Sequence, residues 1–499
     1  MRGNHPARWL SRQARTRADS LALRAGKTQL THAQLEERVA RLSLALVRQT
    51  DAQVIGLACA DGLSLVLIWL ACMRLGRALL PLGDDLPPEQ WGPLLAGAGC
   101  DCLLSDRPVA GLPGGVTRLP LEGLPVRASG EKGAAPAPEP STDAISLIVP
   151  TSGSSGEPKG VMLSAASLAA SAAAVSRRLQ LGPGDCWLNC LPLNHVGGLA
   201  IPLRCLYAGA LLWLEPPFDA RRVWGGLSGG LPERSARLPS HLSLVPAMLE
   251  RLLEVSRDAP APAQLRRVLI GGGPLSPQLA RRAHAAGWPL VVSYGMSETG
   301  SLCVLDDSPG AGQEAGVVGW PLEGFELALG TAGEIRLRGP ALMSGYANPR
   351  LLPGDGLAAG WFPSGDLGAW DDQGRLRLLG RADDQLNTAG VRLHPQAVEA
   401  RLLECPGVRE VGVSGRPDPV WGERLVALYV GGIEPQALRE WVREQLPKAL
   451  RPREFRRVAA LPRGRLGKLN RRRLRECIAS AAGAGAQAAP GAAAPPDRA

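Results

Sequence analysis

Thr151-Ser152-Gly153-Ser154-Ser155-Gly156-Glu157-Pro158-Lys159-Gly160 is a run suited to holding phosphate. Its small residues let backbone N–H groups come close to phosphate oxygens, and its hydroxyls and one ammonium add donors. The Gly-Lys-Ser/Thr ending of a Walker loop is missing. A plain Ser/Gly linker would leave Pro158-Lys159-Gly160, and the strand-like Ala144–Val149 before it, without a reason. Lysine is scarce in this chain, five against 51 arginines. Lys159 and Lys468, the latter in Arg463-Gly464-Arg465-Leu466-Gly467-Lys468-Leu469, therefore stand out. A compact charge on a flexible stem suits a moving phosphate where a planar guanidinium does not fit.

Three further segments carry polar chemistry. In Ser293-Tyr294-Gly295-Met296-Ser297-Glu298-Thr299-Gly300, Tyr294 offers a ring to stack on a base, and Ser297 a hydroxyl for a phosphate oxygen. Glu298 is a hard oxygen ligand suited to Mg²⁺ beside phosphates. In Gly360-Trp361-Phe362-Pro363-Ser364-Gly365-Asp366-Leu367-Gly368, Asp366 can accept both hydroxyls of a ribose. Gly380-Arg381-Ala382-Asp383-Asp384 adds a guanidinium for the same ribose and a charged residue fit for a hinge.

The elements that must position these groups read as α/β. Thr31-His32-Ala33-Gln34 predicts a capping box, after which Leu35, Val39, Leu42 and Leu46 share one helical face. Gln53 to Cys59 predicts a buried strand. Ser105 to Asp143, rich in Pro, Gly and Ala, predicts an open surface connection. Helix-like Ala165 to Leu179 follows the Ser/Gly run, and strands alternate with helices to about Leu379, as in sheets covered by helices. The expected organisation is a large domain over 1–380, a smaller mobile α+β domain over 381–478, and a disordered Ala/Gly/Pro tail over 479–499. In the small domain Val398–Leu403 and Gln436–Leu446 predict helices, and Val411–Val413 and Leu425–Val430 strands.

With 499 residues, more than one core is expected. The apolar run from Leu65 stops at Arg74, far short of a membrane span, and no secretory leader is visible at the start. The ten cysteines show no paired zinc spacing and predict free buried thiols in a reducing cytoplasm. A net charge of +10 with arginines crowded after Arg451 allows an anionic partner. No nucleic-acid motif accompanies it, so either a solvated basic face or a phosphorylated ligand accounts for the charge.

Taken in order, the four polar segments and Gly467-Lys468 resemble the adenylate-forming superfamily of acyl-CoA synthetases, peptide-synthetase adenylation domains and luciferases. The likeness runs over about residues 6 to 478. It implies the acyl-CoA synthetase fold, with an active site between a large domain and a small mobile one. It also implies the chemistry: ATP and a carboxylic acid give an acyl-adenylate and pyrophosphate, and a thiol then attacks. By this resemblance Thr151, Ser152, Gly153, Ser154, Ser155, Gly156 and Lys159 hold the β- and γ-phosphates. Gly272, Tyr294, Gly295, Asp366 and Arg381 hold the nucleoside. Ser297 and Glu298 serve the α-phosphate and Mg²⁺, with Thr151 as a second metal ligand. Asp383 is the hinge. Lys468 bridges the attacking carboxylate and the α-phosphate. Gly390 and Arg392 belong to the thiol-step loop of the coenzyme A tunnel.

Leu191-Pro192-Leu193-Asn194-His195-Val196-Gly197-Gly198, with Arg204-Cys205-Leu206-Tyr207-Ala208-Gly209 and Leu269-Ile270-Gly271-Gly272-Gly273-Pro274, is similar to o-succinylbenzoate–CoA ligases of menaquinone biosynthesis. The similarity implies His195, Gly271 and Met296 beside the acyl group, and Arg204 near a substrate carboxylate. A buried arginine in an apolar stretch needs a partner. Either a second substrate carboxylate or an internal Asp or Glu would serve. Two departures bear on the acid: Asn194 stands where an aromatic is common, and Asn387-Thr388-Ala389-Gly390-Val391-Arg392 replaces the usual Ser-Gly-Gly-Glu-Asn type of segment. The expected partners are a small aromatic or dicarboxylic acid, with coenzyme A or a carrier protein as acceptor. Amino acids are disfavoured, because only Asp219 lies near the place where an ammonium partner is usual. A basic nucleic-acid-binding protein on a degenerate scaffold is the rival, and intact Lys159, Glu298, Asp366 and Lys468 argue against it.

Overall fold

Thr31 starts the helix His32–Gln49 with a full capping box, its hydroxyl accepting from the Gln34 amide while the Gln34 side chain accepts from the Thr31 amide. Leu35, Val39, Leu42 and Leu46 are buried on one face of that helix. In this computed structural model the residues described are 5–83, 86–126, 140–152, 158–230, 237–307, 314–347, 356–388, 391–419, 421–463 and 469–480. The chain divides into two compact units, Met1–Leu378 and Leu379–Ala499.

The first unit holds two sheets. In a 13-stranded sheet, strands Leu21–Ala25, Leu211–Leu214, Cys186–Asn189, His241–Leu244, Arg267–Ile270 and Leu290–Met296 lie side by side and parallel. In a seven-stranded sheet, Thr117–Pro120, Cys102–Ser105, Val54–Ala58, Ala78–Pro81 and Ile145–Ser152 run parallel, and Pro158–Ser164 closes back antiparallel on the last. Parallel strands are covered on both faces, so they read as short apolar runs rather than alternating ones. Helix Gly62–Arg74 is buried from Leu63 to Met73, so the run ending at Arg74 is a core helix. Among the described residues no helix is long and apolar enough to cross a membrane.

The second unit is α+β. Strands Val408–Asp418 and Gly422–Gly431 form a long hairpin, Glu454–Arg457 joins the latter in parallel, and helices Pro395–Leu402, Pro435–Gln445 and Arg471–Ser480 complete it. Arg471 reaches both carboxylate oxygens of the buried Glu399, at 2.5 and 2.7 Å. Arg456, Arg457, Arg463, Arg472 and Arg475 also pair with acids of this unit, so the late arginine excess is partly neutralised.

Some expectations need correction. Ser105–Asp143 is not wholly an open connection. Thr117–Pro120 adds to the sheet beside Cys102–Ser105, and Leu121, Leu124 and Val126 are buried. A parallel edge pairing satisfies the backbone without needing an alternating pattern. Strand Glu454–Arg457 and helix Arg471–Ser480 were unannounced because arginine masks their apolar positions, Phe455, Leu474 and Ile478. All ten cysteines are free, yet Cys477 is exposed. Residues 481–499 of the Ala/Gly/Pro tail lie outside the described residues.

Two core histidines are expected to make the large unit sensitive to acid. His32 and His241 are 1% and 0% exposed, and burial lowers the pKa of each to about 4. Their folded pKa lies below the unfolded value of 6.5, so the unfolded chain binds more protons between those limits. Stability is full above pH 6.5 and falls as pH drops toward 4, by up to about 3 kcal/mol for each ring. Unfolding followed against pH should show this slope, and His32→Gln or His241→Gln should flatten it. An unchanged slope in both variants would assign the acid sensitivity elsewhere.

Candidate active site

Strands Ile145–Ser152 and Pro158–Ser164 pair with Thr151 opposite Lys159 and Ser152 opposite Pro158. The Thr151 hydroxyl donates to the Lys159 carbonyl at 3.4 Å. Gly153, Ser154, Ser155 and Gly156, and the side chain of Ser152, lie outside the described residues. The Lys159 ammonium stands 5.1 Å from the ring centroid of Tyr346. The Tyr346 hydroxyl donates to Glu298 Oε1 at 2.9 Å. One tyrosine thus contacts both Lys159 and Glu298.

Ser297–Thr299 is a single 3-10 turn between strands Leu290–Met296 and Ser301–Asp306. The fully buried Thr299 folds it: its hydroxyl accepts from the Met296 amide at 3.0 Å and lies 2.9 Å from the Ser301 carbonyl. Met296, Ser297 and Glu298 are left half-buried. Gly295 has no alternative here, because a Cβ would stand 1.7 Å from the Ser301 carbonyl oxygen. Glu298 keeps Oε2 without a described hydrogen-bond donor. A half-buried carboxylate with one oxygen held and one open fits Mg²⁺, which takes hard oxygen ligands and retains its waters.

Tyr294 does not present its ring freely. It is 8% exposed, and its hydroxyl donates to Asp366 Oδ2 at 2.7 Å. Burial, with the Asp366 charge beside it, pushes the phenol well above its ordinary pKa, so Tyr294 stays a donor. The Asp366 amide is fixed in turn by donating to the Ser364 hydroxyl at 3.0 Å. Gly271 and Gly272 follow the carboxyl end of strand Arg267–Ile270. A Cβ at Gly271 would meet Ser293 Oγ at 2.8 Å, and Gly272 has φ +74°.

The loop after strand Cys186–Asn189 delivers His195. Buried Asn189 clamps it, accepting from the Leu191 amide at 3.1 Å and donating to the Gly198 carbonyl at 3.0 Å. His195 is the N-cap of helix Val196–Ala208, with a half-buried ring. Gly271, Met296 and His195 all leave carboxyl ends of strands in the same parallel array, where ligands of α/β sheets gather.

Arg204, on that helix, is 1% exposed. One of its terminal nitrogens, Nη2, donates to Ser301 Oγ at 2.9 Å, and its guanidinium lies 5.4 Å from the Trp187 ring centroid. Burial lowers its pKa to about 10. Among the described residues no Asp or Glu stands within ion-pair distance of it, so an internal carboxylate is not the partner there. Ser301 has φ +121°, a strained value for a residue with a side chain. The Arg204–Ser301 bond ties helix Val196–Ala208 to strand Ser301–Asp306, which follows the Ser297–Thr299 turn.

In the second unit Arg381 turns to its neighbour: its guanidinium donates to both Asp383 oxygens, at 3.1 and 3.3 Å. That pairing holds the Asp383 carboxyl below its usual range. Lys468 and Gly390, and the side chain of Arg392, lie outside the described residues. The residues flanking Lys468 are tied down: Arg463 bridges to Leu469, pairs with Glu410 at 2.8 Å, and the Asn470 amide donates to the Pro462 carbonyl.

The sequence does not single out Tyr346, Asn189, Thr299 or Ser301, which contact the candidate residues or fold the segments that carry them. Tyr346 had a signal comparable to that of the lysines, since the chain has only four tyrosines. The others show themselves only through their contacts.

Residues 10–347 match the AMP-binding enzyme family, and residues 397–468 match the AMP-binding enzyme C-terminal domain. This chain belongs to the AMP-binding enzyme family. A probable 2-succinylbenzoate–CoA ligase of Mycobacterium tuberculosis (strain H37Rv) is 40% identical over 66% of this chain and 83% of its own. The 2-succinylbenzoate–CoA ligase of Bacillus mycoides (strain KBAB4) is 30% identical over 94% of this chain and 98% of its own. Among solved structures, the AMP-binding enzyme resembles o-succinylbenzoate CoA synthetase from Bacillus subtilis in complex with its acyl-adenylate intermediate. That match has a TM-score of 0.82 at 27% identity and covers 94% of this chain and 97% of the other. ATP-bound MatB from Rhodopseudomonas palustris, 24% identical with a TM-score of 0.82 over 95% of this chain, shares the fold.

Proposed function

We propose that this AMP-binding enzyme is an ATP-dependent acid–CoA ligase whose acid is 2-succinylbenzoate. The observation that carries the choice of acid is Arg204. A fully buried guanidinium without a carboxylate partner among the described residues is costly. A dicarboxylic acid has one carboxylate to activate and a second to neutralise that charge. The relatives named for 2-succinylbenzoate support the same acid. The sequence resemblance places such a ligase in menaquinone biosynthesis.

In the first step a carboxylate oxygen attacks the α-phosphorus of ATP, the bond to the β-phosphate oxygen breaks, and pyrophosphate leaves. Negative charge spreads over oxygens in that transition state, so positioned cations lower the barrier. Lys159 and the Thr151 hairpin hold the β- and γ-phosphates, Ser297 the α-phosphate, and Asp366 the ribose, oriented by Tyr294. Lys468 bridges the attacking oxygen and the α-phosphate. Glu298 and Thr151 would hold Mg²⁺, which when bound neutralises phosphate charge. In the second step the sulfur of coenzyme A attacks the acyl carbon and AMP leaves, with Gly390 and Arg392 along the thiol's path and Asp383 as hinge.

Pyrophosphate release from Mg-ATP, measured over 2-succinylbenzoate, benzoates, fatty acids and amino acids with and without coenzyme A, tests the proposal. The expected result is release with 2-succinylbenzoate that coenzyme A accelerates. Release from another acid alone would overturn the substrate. Release indifferent to coenzyme A would overturn the acceptor and point to a carrier protein.

A further inference from the structure

The phosphate-loop lysine and the expected metal ligand belong to different sheets. Lys159 lies on Pro158–Ser164 of the seven-stranded sheet, and Glu298 on the turn between two strands of the 13-stranded one. Segment 343–347 splices them. The Met343 amide donates to the Glu298 carbonyl at 2.8 Å, the Ser344 amide to the Met162 carbonyl at 2.8 Å, and the Ala347 amide to the Gly160 carbonyl at 2.7 Å. Gly345 and Tyr346 pair with Met162 and Val161 as a short strand. At the centre, the Tyr346 ring lies under the Lys159 ammonium while its hydroxyl donates to Glu298. The ring has little freedom: a Cβ at Gly356 would stand 2.9 Å from its Cε2, and Gly356 has φ +88°.

We propose that Tyr346 is a positioning residue that sets the Glu298 carboxylate and the Lys159 ammonium at a common spacing for Mg-ATP. The aromatic face attracts the ammonium without neutralising it. The hydroxyl occupies one carboxylate oxygen and leaves the other for the metal. Neither contact touches the substrate, so Tyr346 acts through the two residues it holds. This rests on the reading of Lys159 and Glu298 as phosphate and metal ligands.

Calorimetric binding of ATP to the full chain, with and without Mg²⁺, tests it independently of turnover. Tyr346→Phe keeps the ring under Lys159 but releases Glu298. ATP alone should bind as in the wild type, and the gain in affinity on adding Mg²⁺ should shrink about tenfold, the size of one charge-assisted hydrogen bond. Tyr346→Leu should weaken ATP binding in both conditions. In a Glu298→Gln background, adding Tyr346→Phe should change the Mg²⁺ gain no further, because the two residues act as one unit. Additive losses, or a Mg²⁺ gain unchanged in Tyr346→Phe, would overturn the proposal. If the wild type itself shows no Mg²⁺-dependent gain, the assignment of Glu298 fails first and the role of Tyr346 falls with it. If Tyr346→Phe does not fold, Gly356→Ala displaces the same ring from behind, and an unchanged Mg²⁺ gain there would also overturn the proposal.

Discussion

Replacing Lys468 by alanine is expected to lower acid-dependent exchange of pyrophosphate into ATP by roughly 10³-fold, the loss seen when a positioned transition-state donor is removed. Thioester formation from a supplied acyl-adenylate should survive, because the charge that Lys468 stabilises is gone by then. The two half-reactions measured separately distinguish this from a folding defect, which would depress both. Lys468→Arg should rescue little, since a planar guanidinium does not substitute for the compact ammonium that the proposed bridging role requires. The surroundings favour a local effect. The Arg463–Leu469 bridge and the Arg463–Glu410 pair fix the flanking backbone without using the lysine. Bidentate Arg471–Glu399 secures the helix that follows. Exchange that persists in Lys468→Ala would remove that residue from the adenylation step.

Replacing Arg204 by leucine is expected to cut kcat/KM for 2-succinylbenzoate on the order of 10²-fold, as when one member of a buried charge pair is removed. A monocarboxylate such as benzoate should lose much less, since it has no second charge to pair. The folded protein should gain stability in the same variant, because a 1%-exposed guanidinium without a described carboxylate partner is a cost to the fold. Ser301→Ala is the control. It removes the 2.9 Å hydrogen bond while leaving the charge in place, and should affect both acids alike. Equal losses for the two acids in Arg204→Leu would end the second-carboxylate proposal and leave Arg204 as a brace between helix Val196–Ala208 and Ser301.

The sequence by itself carried the family resemblance, the α/β architecture with a smaller α+β unit, and the identity of the phosphate-loop and metal-ligand candidates. These were legible because they depend on local physics. Small residues around one ammonium, a capping box at Thr31–Gln34, and short apolar runs for parallel strands each show within about ten residues. Rarity helped as well: with five lysines and four tyrosines, each one is informative. Which groups hold which was decided only by the tertiary structure. Tyr294 binds Asp366 rather than offering a free ring, Tyr346 joins Lys159 to Glu298, and Arg204 reaches Ser301. Arg204 also lacks the internal acid that its burial suggested, among the described residues. Each of these pairings links residues far apart in the chain, and no periodicity or spacing encodes them. They exist because strands of two sheets and a helix bring these side chains together, and buried polar groups must satisfy one another once water is excluded.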